Sequence, residues 1–156
     1  GTIIAYKGGN SWLQRNKLAE IDFIAAAGSK LKEGVFAERS VNNQARQNPG
    51  SIFSVKLDLT HPLCYGYTRN ILPVFKSGTS AAAKVADIYN NPAVYTADPL
   101  MSGYCTKENS DRLKGTAFLS VHRGRIISIY DNTNFRAIWY GTNKIFLNAV
   151  FFGQLL

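Results

Sequence analysis

RGRIISIYDNTNFRAIWYGTNKIFLNAVFF, residues 123–152, contains a strand, a turn and a helix in that order. Gly124 and Arg125 lead into Ile126, Ile127, Ile129 and Tyr130, an apolar run short enough for a buried strand, and Asp131, Asn132, Thr133 and Asn134 supply the polar residues of a turn. Phe135, Ile138 and Trp139 then make an apolar approach to a closing helix. Ile145, Phe146, Ala149, Val150 and Phe152 recur at spacings of one, three and four, which predicts a helix with a wide buried face.

Working outward, TAFLSV at 116–121 reads as a strand that forms a hairpin with 124–130 through His122, Arg123 and Gly124. SIFSVKLDL at 51–59 alternates in the manner of a half-buried strand, and Ile71 to Phe75 forms another. Ala93–Thr96 and Met101–Tyr104 read as two short strands flanking Asp98-Pro99, and KENSDRLK at 107–114 as a short surface helix, where Glu108 and Asp111 are solvated charges. At the front, Thr2 to Tyr6, then Lys7-Gly8-Gly9-Asn10, then a periodic run of Trp12, Leu13, Leu18, Ile21 and Ile24 predict strand, tight glycine turn and helix. Ser11 stands before that run as its N-cap. Residues 28–49 are rich in Asn, Gln and Gly and read as a surface excursion, with room for one short helix between Val35 and Arg46.

The order of these elements predicts an α/β fold, a three-layer sandwich of the flavodoxin-like kind with a mixed sheet. The length of 156 residues suits a single domain spanning 1–156. The opening Gly1-Thr2-Ile3-Ile4-Ala5-Tyr6 has the character of an interior strand, so the chain reads as a piece of a longer protein whose first strands lie upstream of Gly1. No apolar run approaches the roughly 18 residues of a membrane span, and no secretory leader pattern is present in the sequence given.

Eighteen Lys and Arg against ten Asp and Glu give a net charge of +8. The charge is dispersed: its densest groups are Lys30 with Lys32, Arg39 with Arg46, and Arg112, Lys114, Arg123 and Arg125, none interleaved with aromatics as in single-strand binders. A solvated face or an acidic neighbouring domain is the expectation, and nucleic acid is not. Cys64 and Cys105 are too far apart for a CxxC pair or a cysteine-rich zinc site, leaving a disulfide or two buried thiols.

GRIISIYDN followed by NFRAIWYGTNKIFLNAVFF, together with DLTHPLCYGY at 58–67, Pro73-Val74-Phe75 and LMSGY at 100–104, resembles the C-terminal end of large bacterial zinc carboxypeptidase-like proteins. In those proteins a class I glutamine amidotransferase-like domain follows the peptidase domain. The resemblance implies that this chain is that accessory domain, and that zinc belongs to the parent's peptidase domain, where a metal-bound water attacks a peptide carbonyl. It also implies an exported parent, periplasmic or extracellular.

The strand-turn-helix at Lys7 has the layout of a nucleophile elbow, where true class I amidotransferases carry a cysteine beside oxyanion-stabilising amides. Here the turn offers Lys7 and Gly8. The triad's histidine and carboxylate are also missing from the C-terminal strand, where His122 is followed by Arg123-Gly124-Arg125 and the next turn carries Asn134-Phe135-Arg136. Neither His61 nor His122 has the His-x-x-Glu spacing of the peptidase's zinc ligands, so no catalytic residue and no metal ligand is assigned. The leading expectation is a non-catalytic C-terminal accessory domain that supports or docks the peptidase domain.

The alternative is a ligand-binding module at the mouth of the sheet. Strand C-terminal ends are where ligands sit in such folds. There Lys7, Asn10, His61, Asn134 and Arg136 would gather around a peptide carboxylate or a saccharide. Arg136 has a structural alternative, an ion pair tying the last turn to Asp131 or another acid. A third reading, a degenerate hydrolase using Ser11 or Cys64, has no base at a motif spacing.

Overall fold

The computed structural model describes residues 1–25, 35–45 and 47–156; Lys30, Lys32 and Arg46, with part of the polar excursion, lie outside the described residues. The elements that matter are β1 (Ile3–Tyr6), α1 (Gly9–Arg15), β2 (Phe23–Ile24), α2 (Arg39–Ala45), β3 (Ser51–Leu57), β4 (Ile71–Lys76), β5 (Ala81–Ala82), β6 (Ala93–Gly103), α3 (Lys107–Leu113), β7 (Ala117–His122), β8 (Ile126–Ile129) and α4 (Tyr140–Phe152). The protein is mixed α/β. Its open, curled sheet runs β1-β8-β7-β6-β3-β4, and β5 extends it by pairing both β2 and β7. Among the described strands only β1 and β8 are parallel, with Ile3 opposite Ile126 and Tyr6 opposite Ile129, so the sheet is mixed as expected and mostly antiparallel.

The alternation along β8 explains the layering. Ile127 and Ile129 point to one face, where Ile145 and Ala149 of α4 cover them. Ile126 and, beyond the strand, Tyr130 join the other cluster with Ala5 and Leu13 of α1. The β7–β8 hairpin closes through Arg123 and Gly124, both left-handed (φ 51° and 68°), the turn that matches strand twist.

Three expectations change. The N-terminal helix is short. Leu18, Ile21 and Ile24 fall outside it because Lys17 turns left-handed (φ 56°), with Lys17 N–H donating to the Gln14 carbonyl and Leu18 N–H to the Leu13 carbonyl. This double bond pattern ends a helix at once and stacks Leu18 on Leu13. Ser11 is not its cap: Gly8 occupies that position, and Ser11 is the third residue of α1. Finally, the two short strands around Asp98-Pro99 are one strand, β6, whose ladder with β3 shifts register on either side of Phe53. Pro99 lacks an N–H, and the Ser54 hydroxyl bridges the irregular stretch, 2.6 Å from Thr96 Oγ1 and 3.3 Å from the carbonyls of Asp98 and Pro99.

The buried face also contains a pair of charges. Lys76 ends β4 and Asp131 follows β8, and both are about 2% exposed. Lys76 Nζ donates to Asp131 Oδ1 at 2.8 Å, to Oδ2 at 3.0 Å and to the Ser80 carbonyl at 2.6 Å, using all three of its hydrogens. Tyr95 in β6 donates its phenol to Asp131 Oδ2 at 2.5 Å. Burial, and then the charge of Asp131, push that phenol well above its ordinary range, which keeps it a donor.

Candidate functional site

The turn between β1 and α1 is the first candidate. Lys7 is left-handed (φ 44°) and exposed, and its N–H donates to the Ile129 carbonyl at 3.0 Å, continuing the parallel pairing one residue beyond the strand. A Cβ on Gly9 would stand 3.8 Å from that of Ala5, an ordinary contact, so the first turn of α1 lies against the strand. Asn10 is fully buried, and its side-chain amide donates to the Ile129 carbonyl at 2.9 Å, locking helix to sheet; its Oδ1 is buried without a partner. Around the mouth, Tyr6 Oη meets Asn132 Oδ1 and accepts from the Asn134 N–H at 3.2 Å, while its ring stands edge-on to Phe146.

The structure thus brings Lys7 and Asn134 to the C-terminal ends of β1 and β8, with Asn10 turned inward beneath them. Arg136 lies in the same connection, left-handed (φ 49°), its guanidinium 5.3 Å from the centre of the Phe135 ring. Phe135 in turn stacks on Phe75 at 3.7 Å. Asp131 is engaged by Lys76 rather than by Arg136. His61 does not join the group: it follows β3, which β8, β7 and β6 separate from β1. Its Nδ1 accepts from the Leu63 N–H at 3.2 Å and caps the 3-10 turn Pro62–Cys64.

The nucleophile candidates sit elsewhere. Both cysteines are free thiols. Cys64 is buried in the Pro62–Cys64 turn, donates to the Pro92 carbonyl at 3.4 Å, and is pushed by burial up to about 12, which removes the thiolate at neutral pH. Burial also raises Cys105. His122 ends β7 opposite Ile126, whereas Tyr6 is opposite Ile129, so the length of β8 separates this imidazole from the Lys7 turn. Among the described residues no group of three or more His, Cys, Asp or Glu side chains is placed to hold one metal ion, and no helix is long and apolar enough to cross a membrane.

At the other end of β8 a groove of about 650 Å³ opens between the segment after α1 and the segment after β5, with Lys17, Glu20, Lys84 and Arg123 among its lining and His122 and Tyr130 at its base. Tyr130 Oη is 3.3 Å from Ser120 Oγ and 3.5 Å from His122 Nε2. Burial lowers the His122 pKa below its ordinary value, and burial does the same to His61 against a smaller opposing pull from Asp58. The unfolded chain therefore takes up protons first as pH drops. Stability that is complete above the ordinary histidine value of about 6.5 is lost as pH falls from there through the lower folded values. Urea unfolding followed from pH 7.5 to 5 is expected to show this decline, with a shallower slope in His122→Gln. An unchanged slope would exclude His122 as its source.

None of these signals for burial was readable from residue order: the partners of Lys76, Asn10 and Asp131 are all distant in sequence. The Asp ending the IISIY run and the lone Lys ending ILPVF were the only hints, each a charge at the end of an apolar strand. No protein-family model, no curated protein and no solved structure matches this chain.

Proposed function

We propose that the chain is a non-catalytic, amidotransferase-like C-terminal accessory domain of a zinc carboxypeptidase-like protein, supporting or docking the peptidase domain. The observation that carries this reading is the left-handed Lys7 between β1 and a closely packed α1. In this reading Lys7 takes the place of the amidotransferase cysteine, offering an ammonium in place of a thiol. The two thiols are elsewhere, one of them buried with its pKa pushed up to about 12. The parallel β1–β8 pair, with α1 and α4 on opposite faces, supports the finer fold reading, a flavodoxin-like three-layer sandwich. Under the same reading the parent is exported and its zinc is held by the peptidase domain.

The test is metal content by mass spectrometry on the purified chain, run beside an assay for release of C-terminal amino acids with added zinc. Neither stoichiometric zinc nor turnover is expected. Both together would end the accessory-domain reading.

A second reading, a module binding a peptide carboxylate or a saccharide, is favoured by the clustering of Lys7, Asn132, Asn134 and the Tyr6 phenol at the sheet mouth. Thermal-shift screening with short peptides and oligosaccharides separates it from the first, because a pure docking domain gains no stability from either.

A further inference from the structure

The inner face of α4 is committed to the core through Thr142, Ile145, Asn148 and Ala149, all buried. Its outer face is not polar. Leu147, Val150 and Phe151 are 51%, 56% and 68% exposed, and Leu155, in the terminal 3-10 turn, is 63% exposed. Single exposed apolar residues need no explanation, but four large ones on one side of a terminal helix and its continuation form a patch of the kind that marks an interaction site. The patch is framed by positive charge. Lys144 lies on the same helix, held by the Gly66 carbonyl at 2.7 Å. Arg123 and Arg125, both exposed, bracket Gly124, whose added Cβ would lie 3.7 Å from the Leu156 carbonyl oxygen. From residue 132 to residue 156 the sequence contains no Asp or Glu.

We infer that this outer face of α4 is the docking surface of the domain, and that its occupant is a folded protein surface with an apolar centre and a carboxylate rim. The inference rests on the docking reading, and within it that surface belongs to the parent's peptidase domain. Charge complementarity selects this occupant. A second copy of a chain with net charge +8 would set one Lys144 and Arg125 frame against another, which costs affinity. An acidic rim meets the same frame with attraction and leaves the apolar centre to supply the burial.

The experiment titrates the 156-residue chain with the separately purified, zinc-loaded peptidase domain by calorimetry, and sediments the chain alone and with phosphatidylserine vesicles. Leu147→Glu with Phe151→Glu is expected to weaken binding about 100-fold, as loss of two central anchors does. Trp12→Glu, half-exposed on α1 across the sheet, is expected to leave it within about 2-fold. Raising the salt should weaken the wild-type complex, because the frame is solvent-exposed charge. Circular dichroism and unchanged melting confirm that the variants fold. Binding that survives the α4 variant, or that Trp12→Glu abolishes, overturns this surface while leaving the docking reading intact. A wild-type dimer dissolved by the α4 variant, or attachment to vesicles without binding to the domain, overturns the assigned occupant. No association with anything overturns the docking reading itself.

Discussion

Lys76→Met is expected to destabilise the protein by about 3–5 kcal/mol, the typical cost of removing one partner from a buried ion pair. Asp131 would keep the Tyr95 hydrogen bond and lose both bonds from Lys76, leaving a carboxylate about 2% exposed with no neutralising charge. The pair ties β4 to the end of β8, segments 55 residues apart in sequence, and the Tyr95 phenol ties both to β6 in the middle of the sheet. Against a total stability of roughly 5–15 kcal/mol the loss is large, and it lowers the melting temperature on the order of 10 °C. Urea denaturation of the wild type, Lys76→Met and the double variant Lys76→Met with Asp131→Leu measures it. The double variant removes both charges and should recover part of the loss, because the main penalty is the stranded charge rather than the missing attraction. A single variant within about 1 kcal/mol of wild type would mean that water reaches this pair in solution.

Gly103→Ala carries the second large effect. Gly103 ends β6 at φ 94°, a conformation that side chains with a Cβ rarely adopt. An added Cβ would stand 2.8 Å from Ser51 Oγ and 3.0 Å from Ser51 Cα, so backbone as well as side chain must move. Ser51 is buried, is opposite both Gly103 and Lys76 in the ladders, and donates to the Tyr104 carbonyl at 2.8 Å. Displacing it opens the end of the β3–β6 ladder beside the ion pair. Left-handed backbone strain of about 1–2 kcal/mol and overpacking of about 1–3 kcal/mol give an expected loss of about 2–5 kcal/mol. Gly78→Ala is the control, since Gly78 has a similar φ of 81° but an added Cβ meets nothing within 4 Å. It should cost only the strain, about 1–2 kcal/mol. Equal losses in the two variants would show that conformation alone, and not the contact with Ser51, sets the cost.

Local patterns gave most of the elements directly. The alternation of Ser51 to Leu57 reports the buried side of β3, the apolar runs at 71–76, 117–122 and 126–129 report strands, and the three-and-four spacing of 145–152 reports a helix, although Val150, expected on its buried face, is 56% exposed. The errors came where backbone hydrogen bonding overrode pattern. The periodicity of Leu18, Ile21 and Ile24 mimicked a helix because burial alone selects those residues, and the turn at Lys17 ended the helix first. Pro99 looked like a strand break, and the Ser54 hydroxyl bridges the irregularity instead. Of the candidate site residues, Lys7 and Asn134 do meet at one end of the sheet because β1 and β8 are parallel neighbours. His61 could be placed with them only by assuming that all strand ends converge, which an antiparallel β3 does not allow.

What the amino-acid sequence determined by itself was local: strand or helix, the alternating faces of β3, the tight turn at Lys7, and the absence there of a cysteine. These follow from propensity and periodicity, which act within a few residues of each position. Tertiary structure alone decided the pairing of Lys76 with Asp131 and Tyr95, the stagger that separates His122 from the Lys7 turn, and the apolar outer face left on α4. Each of these depends on which distant strands lie side by side. The same Lys, Asp or Phe is solvated or buried according to that arrangement, and nothing in its immediate neighbours sets the outcome.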